Sequence, residues 1–381
     1  MIPRTIFGPE HEDFRASVRR FYRDEIMPFH EQWEQQQMVD RAIWRRAGEL
    51  GMLCMTMPEE YGGAGADRLY SVVTFEEQQR AGASGIGFFL HSDIVANYLN
   101  NFGTDAQKQA WLPPMARGER IAAIAMSEPG AGSDLQNIQT RAADGGDCYI
   151  VNGTKTFITN GFLCDFALVA VKTGRPDEDR GAHSVSLLVI PADLAGFCKS
   201  KPLKKVGMKA QDTCELAFRD VRVPKTNLLG TEGGGFALLM KELAWERMII
   251  AVQCIAGAEA ALEWTLDYTR GRKVFGQPIA AHQNSRFKLA EMRTEIQIGR
   301  VFVDKCLELV LRKTLSAEAA AMAKYWSSEL YGRVLDQCLQ LHGGYGYMLE
   351  YPIARAWIDN RVTRIYGGST EIMKEIIARS L

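Results

Sequence analysis

A carboxylate on an apolar face, glycine-rich turns and a basic loop are the features of this sequence that could do chemistry. At spacings of four, three and four residues, Leu239, Leu243, Glu246 and Ile250 fall on one helical face, so Glu246 sits in an apolar stripe. Burial there would lift a carboxyl pKa from ~4.3 toward the working range of a general base, with neighbouring Arg247 opposing the rise. A structural ion pair with an arginine of another helix would produce the same pattern, so taken alone Glu246 has two roles open to it.

The run IAMSEPGAGSD (Ile124 to Asp134) enters small residues through which backbone N–H groups can approach a ligand, with Ser127 and Ser133 as hydroxyl donors. A tight surface turn would read the same way. Its spacing is not GxGxxG and no βαβ unit follows, which argues against a nicotinamide Rossmann domain. QLHGGYGY (Gln340 to Tyr347) follows a helix expected to end near His342; its glycines suit a C-cap, and its Gln suits a diphosphate or adenine. RGRKVFGQPIAAHQ (Arg270 to Gln283) sets Arg272 where it could meet a pyrophosphate and Phe275 where it could meet a ring, the alternative being a solvated basic loop.

Other chemistries find no support. The 6 histidines include no HxxxH pair and no serine stands in a GxSxG elbow, so metal and hydrolase readings fall away. The 8 cysteines are scattered without a CxxC pair, and reduced, mostly buried thiols are expected. Lys plus Arg number 45 against 46 for Asp plus Glu, which offers no long-range field for nucleic acid or an acidic membrane. The N-terminal MIPRTIFGPEHEDF lacks the apolar stretch of a secretory signal, and no later run is expected to reach the ~20 apolar residues of a membrane span. A soluble protein of a reducing compartment, the cytoplasm, is the expectation.

These residues need elements to hold them. At 381 residues the chain exceeds a typical single domain. Apolar residues recur at helical spacing from Glu10 to about Gly118; short β-rich runs separated by Gly, Asp and Pro occupy the stretch from Ile121 to about Val223; helical spacing returns from Gly235 in long amphipathic stretches that suggest a bundle. The chain is thus expected to be mainly α with a central antiparallel β domain, divided as 1–120, 121–230 and 231–381, with both helical parts packed around one β layer.

Taken in order, AMSEPGAGSD, GTKTFITNG, FRDVRVP, GRKVFGQPIAAHQ, QLHGGYGY and IYGGSTEI resemble the acyl-CoA dehydrogenases, and the likeness runs from the first helices to the C-terminus. LHSDIVANYLNNFG and IYGGSTEIMKEIIARSL look most like the long-chain branch. The resemblance implies an N-terminal helical domain, a middle β domain and a C-terminal four-helix bundle, assembled as a homotetramer, a dimer of dimers. It implies FAD, with the flavin ring against Ile124, Met126, Ser127, Gly132 and Ser133 and against Phe157, Ile158 and Thr159. Thr370 and Glu371 would lie near another part of the cofactor. Arg272, Phe275, Gln283, Gln340 and Gly344 would hold the ADP half, some reaching across from a neighbouring subunit. Ser133 would also face the thioester arm of CoA, and Arg247 would lie at the substrate.

The resemblance also bears on the base. Many members carry a glutamate in a C-terminal YEGT motif, where this chain reads Tyr366, Gly367, Gly368, Ser369. The long-chain and isovaleryl branches place the base instead in a Glu-Arg pair on the first long helix of the bundle, and Glu246-Arg247 matches that pair. The implied reaction is α,β-dehydrogenation of a saturated acyl-CoA to the trans-2-enoyl-CoA, with Gly367 N–H at the thioester oxygen and an electron-transfer flavoprotein as acceptor. Phe157 stands where several members have tryptophan, and Ala244 where shorter-chain relatives have an aspartate that binds the CoA arm. An acyl-CoA oxidase, a flavin monooxygenase of the same fold and a non-catalytic flavoprotein are the alternatives.

Overall fold

The computed structural model describes residues 2–174 and 179–381. The first part holds α1 (Pro9–Phe21), α2 (Met27–Gln36), α3 (Arg41–Glu49), α4 (Arg68–Ala81), α5 (Ala96–Phe102) and α6 (Asp105–Ala116). A π-helical turn, Leu90–Val95, runs directly into α5. Gly103 leaves α5 in extended backbone, and Thr104 restarts the chain as the N-cap of α6 through a reciprocal capping box with Gln107.

The β part comprises β1 (Ala122–Ala125), β2 (Arg141–Asp144), β3 (Cys148–Ile158), β4 (Phe166–Thr173), β5 (Val185–Pro191), β6 (Phe197–Lys199), β7 (Cys214–Pro224) and β8 (Leu228–Leu229). Along the sheet the order is β6-β7-β3-β2-β4-β5-β8, with β1 pairing β4. Most ladders are antiparallel, but β1 and β2 each run parallel to β4, so the sheet is mixed rather than purely antiparallel. Both reach β4 through long connections, the geometry a parallel pair requires, and β4 is buried along its whole length.

The remainder is α7 (Gly235–Gly271), a hairpin of β9 (Lys273–Val274) and β10 (Gln277–Pro278), α8 (Gln283–Leu311), α9 (Ala317–His342), α10 (Pro352–Asn360) and α11 (Thr370–Ala378). The long helices α7, α8 and α9 pack on one another, while α10 and α11 lie against α9. Gly257 lets α7 and α9 approach, since a Cβ there would come 2.6 Å from Tyr331 Oη.

One apolar core joins α4, α5, α7, α8 and α9 to a single face of β1, β4 and β5, through residues such as Phe75, Ile124, Leu168, Leu187, Met248 and Leu335. The other sheet face closes on itself around Val151, Val169, Ile190, Phe218 and Val223. The helical parts therefore share one side of the β layer instead of enclosing it. Among the described residues α7 is also apolar and long enough to cross a membrane, with an 18-residue window of mean hydropathy 1.4, contrary to the sequence expectation; 78% of that window is buried against the rest of the fold.

Candidate active site

Glu246 lies in the first third of α7 and is 7% exposed. Leu239 and Ile250 of its stripe are buried and Leu243 is half-buried. Its partner is a neutral phenol, not an arginine of another helix: Tyr98 Oη, on α5, donates to Glu246 Oε1 at 2.9 Å. Burial pushes the Glu246 carboxyl up to about 7; the Tyr98 bond opposes the rise, Glu242 adds to it and Arg247 opposes it. One turn earlier, Asn101 Nδ2 donates to Glu242 Oε1 at 2.7 Å, so α5 meets α7 in a pair of polar rungs. Trp245 Nε1 donates to Asp93 O at 3.1 Å, in the π-helical turn, and fixes α5 against the helix that carries the carboxylate.

Arg247 is 6% exposed and, among the described residues, its Nε has no hydrogen-bond partner. Burial lowers its pKa and the Glu246 charge opposes that. The C-terminal turn closes this region. Gly367 and Gly368 both lie in the left-handed region, at φ 63° and 92°, and a Cβ on Gly367 would come 2.3 Å from Ile250 Cδ1, one helical turn beyond Glu246. The two positions at which the sequence could carry a base thus converge on the same stretch of α7. The fully buried Lys324 of α9 donates to Gly368 O at 2.6 Å and holds the turn.

The segments expected to face a flavin ring lie side by side. Thr156 N donates to Ser127 O at 3.0 Å, and Lys155 Nζ reaches Met126 O at 2.9 Å and Glu128 Oε1 at 2.8 Å. Lys155 is fully buried, and burial, only partly offset by Glu128, pulls it down to about 8. Ile124 and Ile158 are buried, Met126, Ser127 and Thr159 are half-buried, and Gly132 and Ser133 are exposed. Glu128 and Ala131 exchange backbone hydrogen bonds across Pro129-Gly130, so the run is also a tight turn. Phe157 is 71% exposed at φ 60°, at the irregularity where β3 shifts register against β7. A bulky side chain in the left-handed region is costly, and such strain collects at functional positions.

At the far end of α7, Arg272, Gln340 and Gly344 line one groove of about 510 Å³ with Tyr268, Tyr345 and His342. The Arg272 guanidinium lies 5.5 Å from the Tyr345 ring centroid. Gly343, at φ 59°, ends α9, so the paired glycines do cap the helix while lining the groove. Gly344 has no positive φ and open space where a Cβ would stand. An exposed guanidinium, an amide, a glycine free for close approach and flanking tyrosines fit the diphosphate and adenine of a dinucleotide. Phe275 stands outside the groove, 98% exposed, and shares with Gly276 the positive φ angles, 51° and 81°, of the two-residue turn between β9 and β10. Gln283 is exposed at the first residue of α8. Thr370 is buried, donating to Glu329 Oε1 at 3.0 Å, and Glu371 is exposed in the first turn of α11.

Along α7 the groove at Arg272 lies roughly 39 Å from Glu246 at 1.5 Å per residue, so the chain does not bring its two sets of site residues together. Tyr98, Lys155, Glu128 and Lys324 were not singled out from sequence. A signal existed for Lys155, whose parity in β3 places it on the inward face with Val151; Tyr98 has none, because its partner is 148 residues away.

Profiles of the acyl-CoA dehydrogenase N-terminal, middle and C-terminal domains match residues 8–119, 123–221 and 233–381. The mitochondrial long-chain specific acyl-CoA dehydrogenase of Rattus norvegicus is 50% identical over 99% of this chain and 88% of its own. An acyl-CoA dehydrogenase structure from Geobacillus kaustophilus superposes with a TM-score of 0.97 at 46% identity, covering 99% of both chains. Another, from Bacillus anthracis and complexed with FAD, gives 0.92 at 32% identity over 98% of this chain and 67% of that one.

Proposed function

From the premise that the chain belongs to the acyl-CoA dehydrogenase family, FAD-dependent enzymes that oxidise acyl-CoA thioesters, we propose that Glu246 is the base that removes the α proton. The observation that carries the assignment is the buried carboxylate on α7, lifted to about 7, beside a C-terminal turn in which Gly367 leaves the alternative position without an acid.

An α C–H next to a thioester is a weak acid, and a carboxylate can take its proton only if the charge growing on the carbonyl oxygen is stabilised. The Gly367 N–H is the donor this chain offers, held in place by Lys324 at Gly368 O. The α-carbon proton passes to a Glu246 carboxylate oxygen and the β hydrogen leaves with its electron pair, so that a trans α,β double bond forms. Bound FAD supplies the two-electron acceptor for that hydride. Burial of Glu246, Tyr98 and Arg247 keeps water from competing for the proton.

The open groove at Arg272, Gln340 and Gly344 would receive the ADP half of a cofactor whose ring serves another subunit, a reading supported by its distance from Glu246 along α7. Exposed Phe287, Ile298 and Val301 on α8 and Met322 and Trp326 on α9 support a dimer of dimers in which further copies cover them. An electron-transfer flavoprotein is the proposed acceptor, fatty or branched acyl-CoA catabolism the proposed pathway, and the free thiols suit a reducing cytoplasm. The test is anaerobic bleaching of the flavin by saturated straight, branched and aryl acyl-CoAs. Glu246→Gln should keep its flavin and bind the best substrate of that panel while bleaching at least about a hundredfold more slowly; near-normal bleaching would overturn the assignment.

A further inference from the structure

We propose that Tyr98 is the positioning residue for Glu246, keeping the carboxyl group hydrogen-bonded in both of its protonation states and thereby setting the pH at which it accepts a proton. The proposal rests on the reading of Glu246 as the base.

The geometry begins with burial. Tyr98 is fully buried on α5, and its hydroxyl has two acceptors within reach, both on α7: Glu246 Oε1 at 2.9 Å and Leu239 O at 3.5 Å. A phenol carries one hydrogen, so it donates to one of them at a time. When Glu246 is ionised, the hydrogen goes to the carboxylate, the nearer and stronger acceptor. When Glu246 has taken a proton, its O–H can donate to Tyr98 Oη, and the phenol hydrogen turns to the Leu239 carbonyl. Neither state leaves Tyr98 Oη or Glu246 Oε1 unpaired, an outcome that would otherwise cost the full desolvation of that atom. The proton taken from substrate thus changes the direction of one hydrogen bond without moving a side chain.

The charges around Glu246 come from a small set of groups. Tyr98 faces it from α5, while Glu242 and Arg247 flank it on α7. From the other packed elements, Arg68 of α4 lies against Glu242 and Lys324 of α9 against Arg247, so both add positive charge beside the neighbours of Glu246. Glu242 is tied by Asn101, which fixes its distance from Glu246. Tyr98 and Glu242 pull in opposite directions: the phenol stabilises the ionised carboxyl, whereas the second carboxylate disfavours it. A residue that only filled space at position 98 would produce no such opposition.

The experiment compares the pH dependence of kcat/KM for holoenzyme forms with Tyr98→Phe and with Glu242→Gln, using the best acyl-CoA of the panel. Activity requires ionised Glu246, so it rises with pH through that ionisation. Tyr98→Phe should move the rising limb upward by about one pH unit, lowering activity several-fold at pH 7 and recovering most of it at pH 9, with flavin content unchanged. Glu242→Gln should move the limb downward. A Tyr98→Phe limb that coincides with the parent's, or limbs that move the same way in both variants, would overturn the proposal. Full activity of Glu246→Gln would instead refute the base assignment beneath it, which keeps the two failures apart.

Discussion

The two ends of α7 solve different problems with the same kinds of side chain. Around Glu246 the polar groups that bear on the carboxylate are mostly buried and tied within the chain: buried Tyr98 and Lys324 and the more exposed Asn101 each donate to a defined acceptor, while buried Arg247 keeps a free Nε among the described residues. Around Arg272 they are exposed: the guanidinium, Gln340 and Gly344 border an open groove, and Phe275 projects into solvent. Proton removal needs a pKa displaced by desolvation, which only a closed interior provides. Recognition of a diphosphate needs accessible donors whose acceptors arrive with the ligand. The difference teaches that loss at the first end should appear in rate and pH dependence, and loss at the second in cofactor retention.

The comparison breaks most visibly at Glu246, where Gln should cost at least about a hundredfold in flavin bleaching and leave flavin bound. Next in size is Arg272→Ala. Removing a charge-assisted contact should weaken FAD binding roughly tenfold or more, read by fluorescence of released flavin, while the reconstituted enzyme keeps the parent's pH limb; a displaced limb would deny that the two ends act separately. The smallest effect is expected from moving the carboxylate. Gly367→Glu with Ile250→Ala in a Glu246→Gly background should recover a measurable fraction of bleaching. The Ile250 change is needed because a Cβ at 367 meets Ile250 Cδ1, and the positive φ of Gly367 adds strain of ~1–2 kcal/mol that limits the recovery. No recovery in a variant that folds and holds flavin would mean that the turn does not present a side chain to the substrate.

Local patterns carried much of this into the sequence. The helical period around Glu246 placed it on a buried face, and the residue vacancy at Gly367 was visible as a tetrapeptide. The gathering of Arg272, Gln340 and Gly344 in one groove could not be read from spacing, because it depends on how the end of α7 meets the end of α9. Tyr98 was illegible for a similar reason: a tyrosine beside Leu99 on a short helix looks like core until the carboxylate opposite it is known. The parallel pairing of β1 and β2 with β4 was missed because short β-rich runs separated by turns suggest hairpins, and only the long connections reveal otherwise. The apolar length of α7 was underestimated because Glu242, Glu246 and Arg247 interrupt it near one end, ahead of the window that runs through Ala251 to Leu262.

The central claim is that burial makes Glu246 a base poised near neutrality. Its most direct test is the pH dependence of kcat/KM for anaerobic flavin reduction by acyl-CoA between pH 5 and 9. A group raised to about 7 is protonated and inactive below that value, so activity should climb through one ionisation near 7 and level off above it, and this limb should vanish in Glu246→Gln. A flat profile in the parent enzyme, or the same limb surviving in Glu246→Gln, would contradict the account.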